Sequence, residues 1–257
     1  MPCSETTFLD RWRYSTGGQV MTSVHKNKDT FFSALLSGRV SMVALVALLL
    51  LFLFSFHNSS IGLQDTRAPA WSGSFYPDNA GELAGLMTDL TRQAMHDRPD
   101  IPSGTRLQAL ILPHAGYIYS GLTAAHASLV LKKGQFSKVI LIGPDHRIGF
   151  ENAAITSFAA YRTPLGTIPI DSDSEVLGRC GDLFRPVSRS ESLEHSLEVI
   201  LPFLQYSLQD FSLVPVVAGP CDIHRAAMCI DSIRDSGTLL VVSSDLSHYL
   251  DYATAVK

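Results

Sequence analysis

The sequence predicts an α/β fold, a mainly parallel central sheet flanked by helices and preceded by one N-terminal transmembrane helix. Three observations carry this. Four continuous apolar runs, at 107–112, 138–142, 213–217 and 238–243, read as strands covered on both faces. Stretches with helical spacing alternate with them, which is the order of a parallel sheet wrapped by helices. One further run, from Val40 to Phe56, is apolar all round and carries no charge.

The elements follow in chain order. Residues 1–39 are polar and read as a cytoplasmic tail. The segment 40–56, VSMVALVALLLLFLFSF, spans roughly 25 Å as a helix, the short limit for a bilayer crossing. Lys26, Lys28 and Arg39 precede it, so the positive-inside bias keeps the N-terminus in the cytoplasm and sends the remainder across. This predicts a membrane-anchored protein with an extracytoplasmic main domain. The alternative is secretion after signal cleavage, although no A-x-A cleavage site follows. The domain at 67–257 opens with strand 107–112 and a helical stretch at 122–132. Strand 138–142 and two shorter strand candidates, 153–156 and 166–170, come next. Helices are read at 174–179 and from Ser196 to Tyr206, a strand at 213–217, a helix at 224–236 closed by Gly237, and a final strand at 238–243.

Composition sets limits. The 257 residues are 46% hydrophobic and 17% charged, enough apolar material for a packed core and too little charge for wholesale disorder. The formal charge of −4 offers no basic face, so nucleic acid is excluded as a partner. The four cysteines, Cys3, Cys180, Cys221 and Cys229, form no CxxC pair and read as ordinary thiols.

The chemistry collects at strand ends. Three strands run into histidine-bearing turns: LILPHAGYIYSG with His114, VILIGPDHRIG with His146, and LLVVSSDLSHYL with Asp245 and His248. In an open parallel sheet, residues just past the carboxyl ends of the strands converge on a ligand. Imidazole is the commonest metal ligand and an acid/base near neutral pH. A single histidine after a strand is more often a turn residue than a ligand, but three such strands point to a metal site of His114, His146 and His248. A fourth element, LEHSLE, places His195 and Glu198 within about one helical turn of each other if a helix begins near Ser196. The pair serves either as an oriented imidazole or as a plain capping arrangement.

These motifs resemble the Memo family in order and spacing: RAPAWSGSFYP, LPHAGYIYSG, IGPDHR, YRTPLG, EHSLEVILPFL, VPVVAG and VVSSDLSHY, covering Arg67 to Tyr249. The family's fold is similar to the LigB-type subunit of extradiol dioxygenases, which use non-haem iron. The resemblance implies that His114 and His146 stand at the family's first two metal-ligand positions. It also implies that His248, with Asp245, matches the site histidine of the S-S-D-x-x-H motif. The implied cofactor is a divalent or redox-active metal, iron, with copper the alternative. His248, His195 and Asp245 take catalytic acid–base roles, and Tyr117, Arg147 and Glu198 contact a small-molecule or peptide ligand.

Two departures stand out. The family's third ligand is a cysteine in a later Cys-Gly context, and no cysteine follows Cys229 here. That predicts a domain truncated at its C-terminus, an incomplete site, or His248 as replacement ligand. Arg147 also stands where many members carry a second histidine, which favours an anionic substrate. Family members are usually soluble, so an anchor is a further departure. The resulting expectation is a non-haem metal-dependent oxidoreductase of the dioxygenase type. The alternative is a non-catalytic module that binds a metal or an anionic peptide.

Overall fold

Helix α1 (Ala80–Ala94) opens the described fold. In its first turn the Asn79 side chain accepts from the N–H groups of Gly81 and Glu82, satisfying two of the donors every helix start leaves free. Its buried residues, Leu83, Met87, Leu90 and Ala94, recur every three or four positions and form one apolar stripe. The protein is described from a computed structural model that covers residues 66–187 and 189–257, within the unit Gly62–Lys257.

The remaining elements are β1 (Ala109–Leu112), α2 (Tyr117–Ala125), α3 (Ala127–Val130), β2 (Lys138–Pro144), β3 (Ala153–Ile155), β4 (Ala160–Thr163), β5 (Gly166–Pro169) and α4 (Asp173–Leu177). After them come β6 (Phe184–Pro186), α5 (Ser190–Leu193), α6 (Leu201–Leu208), β7 (Ser212–Ala218), α7 (Ile223–Ser232), β8 (Thr238–Ser243) and α8 (Tyr252–Ala255). Six strands form one sheet in the order β1-β8-β2-β7-β3-β6. The pairs β1–β8, β8–β2, β2–β7 and β3–β6 are parallel, and β3 against β7 is antiparallel. The central strands β2, β7 and β8 bury Val139, Ile140, Leu141, Leu213, Val214, Leu239 and Val241. That is why their sequences run apolar without alternation. Strands β4 and β5 form a separate hairpin that joins the segment before α1 through a bridge between Arg67 and Tyr161.

The sheet-and-helix expectation stands and the membrane part is corrected. Among the described residues no helix is long and apolar enough to cross a membrane. The longest of them, α1, has 15 residues and an exposed polar face, whereas a span needs about 20 apolar residues. The predicted segment 40–56 lies outside the described residues. The described fold is therefore α/β with no transmembrane helix among the described residues. The membrane partner and the extracytoplasmic or secreted localisation lose their basis with it.

Boundaries shifted for local reasons. The helix expected at 122–132 starts earlier, at Tyr117, because Tyr117, Ser120, Gly121 and Ala124 form a buried face, with Gly121 lying against Leu90 of α1. The helix expected from Ser196 begins as a 3-10 turn at Glu198 and becomes α-helical only at Leu201, followed by Pro202 in its first turn. Helix α7 starts one residue early, on the Asp222 cap, and ends at Ser232, short of Gly237.

Candidate metal centre

Strand β8 lies between β1 and β2 and sets the geometry. Leu112 of β1 pairs with Ser243, and Ile142 of β2 pairs with Val242. His114 and Asp245 then stand two residues beyond matched ends, and His146 two beyond Pro144. Strands one apart from a shared neighbour are about 10 Å apart, a gap two imidazoles can close by leaning inward. They do so: the ring centroids of His114 and His146 lie 5.2 Å apart.

The third ring is His195. Its loop, between α5 and the turn at Glu198, drops onto the end of β2. A Cβ at Gly143 would stand 2.7 Å from Ser196 Oγ and 2.9 Å from Leu197 Cδ2, so only glycine permits this approach. The Ser196 hydroxyl donates to the carbonyl of Pro144 at 2.9 Å. This seats the His195 ring 4.6 Å from His146 and 5.5 Å from His114, centroid to centroid. One ligand-capable atom from each of the three lies within 4.8 Å of the others.

Three side chains hold the trio. Glu194, 1% exposed, accepts the backbone N–H groups of His195 and Ser196 on Oε1 and that of His146 on Oε2. His146 Nδ1 lies 2.9 Å from the same Oε1. His195 Nδ1 is 3.1 Å away but misaligned for a hydrogen bond, and it is buried with no other partner. Burial acts to raise the Glu194 pKa, but the contacts with His195 and His146 and the backbone donors outweigh it. The carboxyl is held well below the usual carboxylate range. Ser243 Oγ contacts His114 Nδ1 at 2.6 Å. Asp245 accepts the backbone N–H groups of His114 and Ala115, and its second oxygen lies 3.8 Å from His114 Nε2. Burial pushes the His114 imidazole down to about 4, with His146 and His195 adding to it and Asp245 opposing. His114 is therefore neutral near neutral pH, and the Asp245 contact is not an ion pair.

The other sequence-assigned residues fall in different surroundings. His248 is half exposed and touches the site through Asp245, with Nε2 3.5 Å from Oδ2. Arg147 sits at the rim, its guanidinium 4.5 Å from the Trp71 ring. Trp71 and Phe75 wall the His195 side, with Phe75 5.0 Å from that ring. Tyr117 is buried and donates its hydroxyl to the Val199 carbonyl. Glu198 is fully buried and faces away from the trio, toward Arg67, Tyr76 and the N–H groups of Ala70 and Trp71.

Sequence reasoning grouped His195 with Glu198 and overlooked Glu194 and Ser243. A signal existed for Glu194, whereas the place of Ser243 follows from strand order. Glu194 immediately precedes a histidine in an irregular stretch, where a carboxylate readily caps the next N–H groups. Ser243 ends the strand flanked by the two strands whose turns carry His114 and His146.

The donor set suits a metal. Three imidazoles are a set used by zinc, copper, iron and nickel. His114 is kept neutral, and the Glu194 carboxylate lies 2.9 and 3.1 Å from the Nδ1 atoms of His146 and His195, the kind of outer contact that orients imidazole ligands. Comparison with known proteins agrees with the sequence pattern. A family model described as Memo-like protein matches residues 67–256. A MEMO1 family protein of Methanobrevibacter smithii is 37% identical over 196 residues, covering 71% of this chain and 70% of the relative. One from Methanopyrus kandleri is 35% identical over 205 residues, covering 74% and 72%. One from Aquifex aeolicus is 34% identical over 197 residues, covering 74% and 70%.

Proposed function

The chain belongs to the Memo family, and on that premise we propose that it is a metal-binding protein whose centre is His114, His146 and His195, working as a metal-dependent oxidoreductase. The observation that carries the reading is the meeting of three imidazoles, from three separated stretches, within 4.8 Å. Three histidines leave coordination positions open, as catalytic sites require and closed structural sites do not. A redox-active divalent metal, iron with copper as the alternative, would supply Lewis acidity and electron transfer there.

The chain's own groups fit the remaining roles. Asp245 lies beside His114 and the half-exposed His248 lies beside Asp245, and in this reading the two would hold and move a substrate proton. Trp71 and Phe75 give an apolar wall. Arg147 over Trp71 offers a cation at the rim for an anionic substrate group. The second reading, a non-catalytic module for a metal or an anionic peptide, is favoured by that same Arg147 cation.

Metal analysis of the purified protein tests the centre. Stoichiometric iron or copper in the native protein, lost in His114→Ala, His146→Ala and His195→Ala, is the expected result. Native protein reconstituted with iron or copper that retains none overturns it. Oxygen uptake with catechol-type substrates by the loaded protein separates enzyme from binder.

A further inference from the structure

Ser243 carries one hydroxyl proton, and its destination is fixed. Its Oγ lies 2.5 Å from the backbone carbonyl of Ser196, which can only accept. The proton is therefore spent on Ser196. Toward His114 Nδ1, 2.6 Å away, Ser243 can offer only a lone pair. Both side chains are 2% exposed, so no water is available to relax this arrangement. A His114 ring that carries one proton must hold it on Nδ1.

The opposite tautomer has a competitor waiting. Asp245 Oδ2 lies 3.8 Å from Nε2, too long for a hydrogen bond as the ring stands but the nearest acceptor for an Nε2–H. The same accounting holds at His146. Glu194 Oε1 already takes the N–H groups of His195 and Ser196, so it meets His146 Nδ1 as an acceptor.

We propose that Ser243 and Glu194 are positioning residues that fix the proton of a singly protonated His114 or His146 ring on Nδ1, so that Nε2 is the nitrogen that presents its lone pair. Neither residue touches a reacting group. Each acts through an imidazole, by deciding which nitrogen presents its lone pair. Tautomer control by an outer hydrogen bond is how proteins orient imidazole ligands and raise their basicity.

Long-range nitrogen–proton NMR of the metal-free full chain, near neutral pH, reads the tautomers directly. In the native protein both rings should show a protonated Nδ1 and a bare Nε2. In Ser243→Ala, His114 should shift toward the Nε2–H form facing Asp245, with His146 unchanged. Ser243→Thr, which restores a hydroxyl, should return the native pattern. A purely structural role for Ser243 would leave the tautomer untouched. An Nε2–H form at either ring of the native protein overturns the proposal, as does an unaltered His114 tautomer in folded Ser243→Ala. The native spectrum alone decides the matter if that variant does not fold.

A second arm rests on the metal reading above. Titrated with Zn(II) alone, Ser243→Ala should bind roughly 10-fold or more weakly than the native protein. The expected tautomers without any Zn(II) binding would support the lock and overturn the metal centre. Zn(II) binding with the wrong native tautomer would do the reverse.

Discussion

Replacing Glu198 with glutamine is the sharpest test of how the site loop is held. Glu198 is fully buried and uses both oxygens twice. Oε2 accepts Arg67 Nη1 at 2.7 Å and the Ala70 N–H at 2.9 Å, and Oε1 accepts the Trp71 N–H and the Tyr76 hydroxyl, each at 2.7 Å. Glutamine keeps the shape but turns one oxygen into an NH₂ donor. That group must then face either Arg67 and Ala70, or Trp71 and Tyr76. Only the tyrosine hydroxyl can reverse its role, so at least one backbone N–H loses its acceptor and the buried guanidinium loses its countercharge. Breaking one side of a buried ion pair costs about 3–5 kcal/mol. A domain of this size shifts its melting temperature by roughly 2–4 °C per kcal/mol, so the expected drop is on the order of 6–20 °C. Thermal melting followed by circular dichroism measures the drop, and urea unfolding the free-energy change. If the variant loses under about 1 kcal/mol, the reasoning about this carboxylate fails. Unaltered stability combined with lost ligand binding would instead return Glu198 to the substrate-contacting role its sequence position suggested.

Two further predictions follow from the site. Gly143→Ala puts a methyl group where Ser196 Oγ and Leu197 Cδ2 already stand, 2.7 and 2.9 Å from the new Cβ. The His195 loop must lift off β2, and metal content should fall with the fold retained, read by elemental analysis beside circular dichroism. The metal-free protein should lose stability between about pH 6.5 and 4, because His114 is held near 4 by burial while the unfolded chain protonates it at its ordinary value. In that window the unfolded state binds the extra proton, so stability falls as pH falls. Acid unfolding of His114→Gln should show a shallower slope there, and an identical slope would show that this ring is not the group involved.

The strands were legible because burial on both faces leaves a plain trace. Leu239 and Val241 are buried and Leu240 partly so, and the run's short length and its paired valines separate it from a buried helix segment. The order of those strands in the sheet was not legible, and that order decides the chemistry. Sequence reasoning could see that the turns after β1, β2 and β8 carry histidines. It could not see that β8 lies between the other two, so that His114 and His146 lean over its end and Ser243 falls beneath them. Glu194 and Glu198 show the same limit on a smaller scale. Helical spacing pairs His195 with Glu198 only if a helix begins at Ser196. The chain instead stays irregular as far as Glu198 and turns α-helical at Leu201, so the neighbouring Glu194 faces the histidines.

One short stretch supplies both the anchor and the chemistry, and charge explains how. Glu191, Glu194 and Glu198 are all buried, a costly arrangement unless each carboxylate is matched. Each is matched by a different part of the chain. Glu191 accepts from the Tyr161 hydroxyl and the Ser157 N–H, Glu194 from His146 and the backbone around His195, and Glu198 from Arg67 and Tyr76. Arg67 then returns to the same stretch, donating to the carbonyls of Glu191 and Glu194 at 2.7 and 2.9 Å. A loop pinned at three carboxylates and two carbonyls cannot drift without stranding a charge. His195 inherits that rigidity, although its Nδ1 meets Glu194 only in a misaligned contact at 3.1 Å. Loosening Arg67 should therefore disturb the centre from a distance, through the backbone that carries His195 and with no contact to its ring.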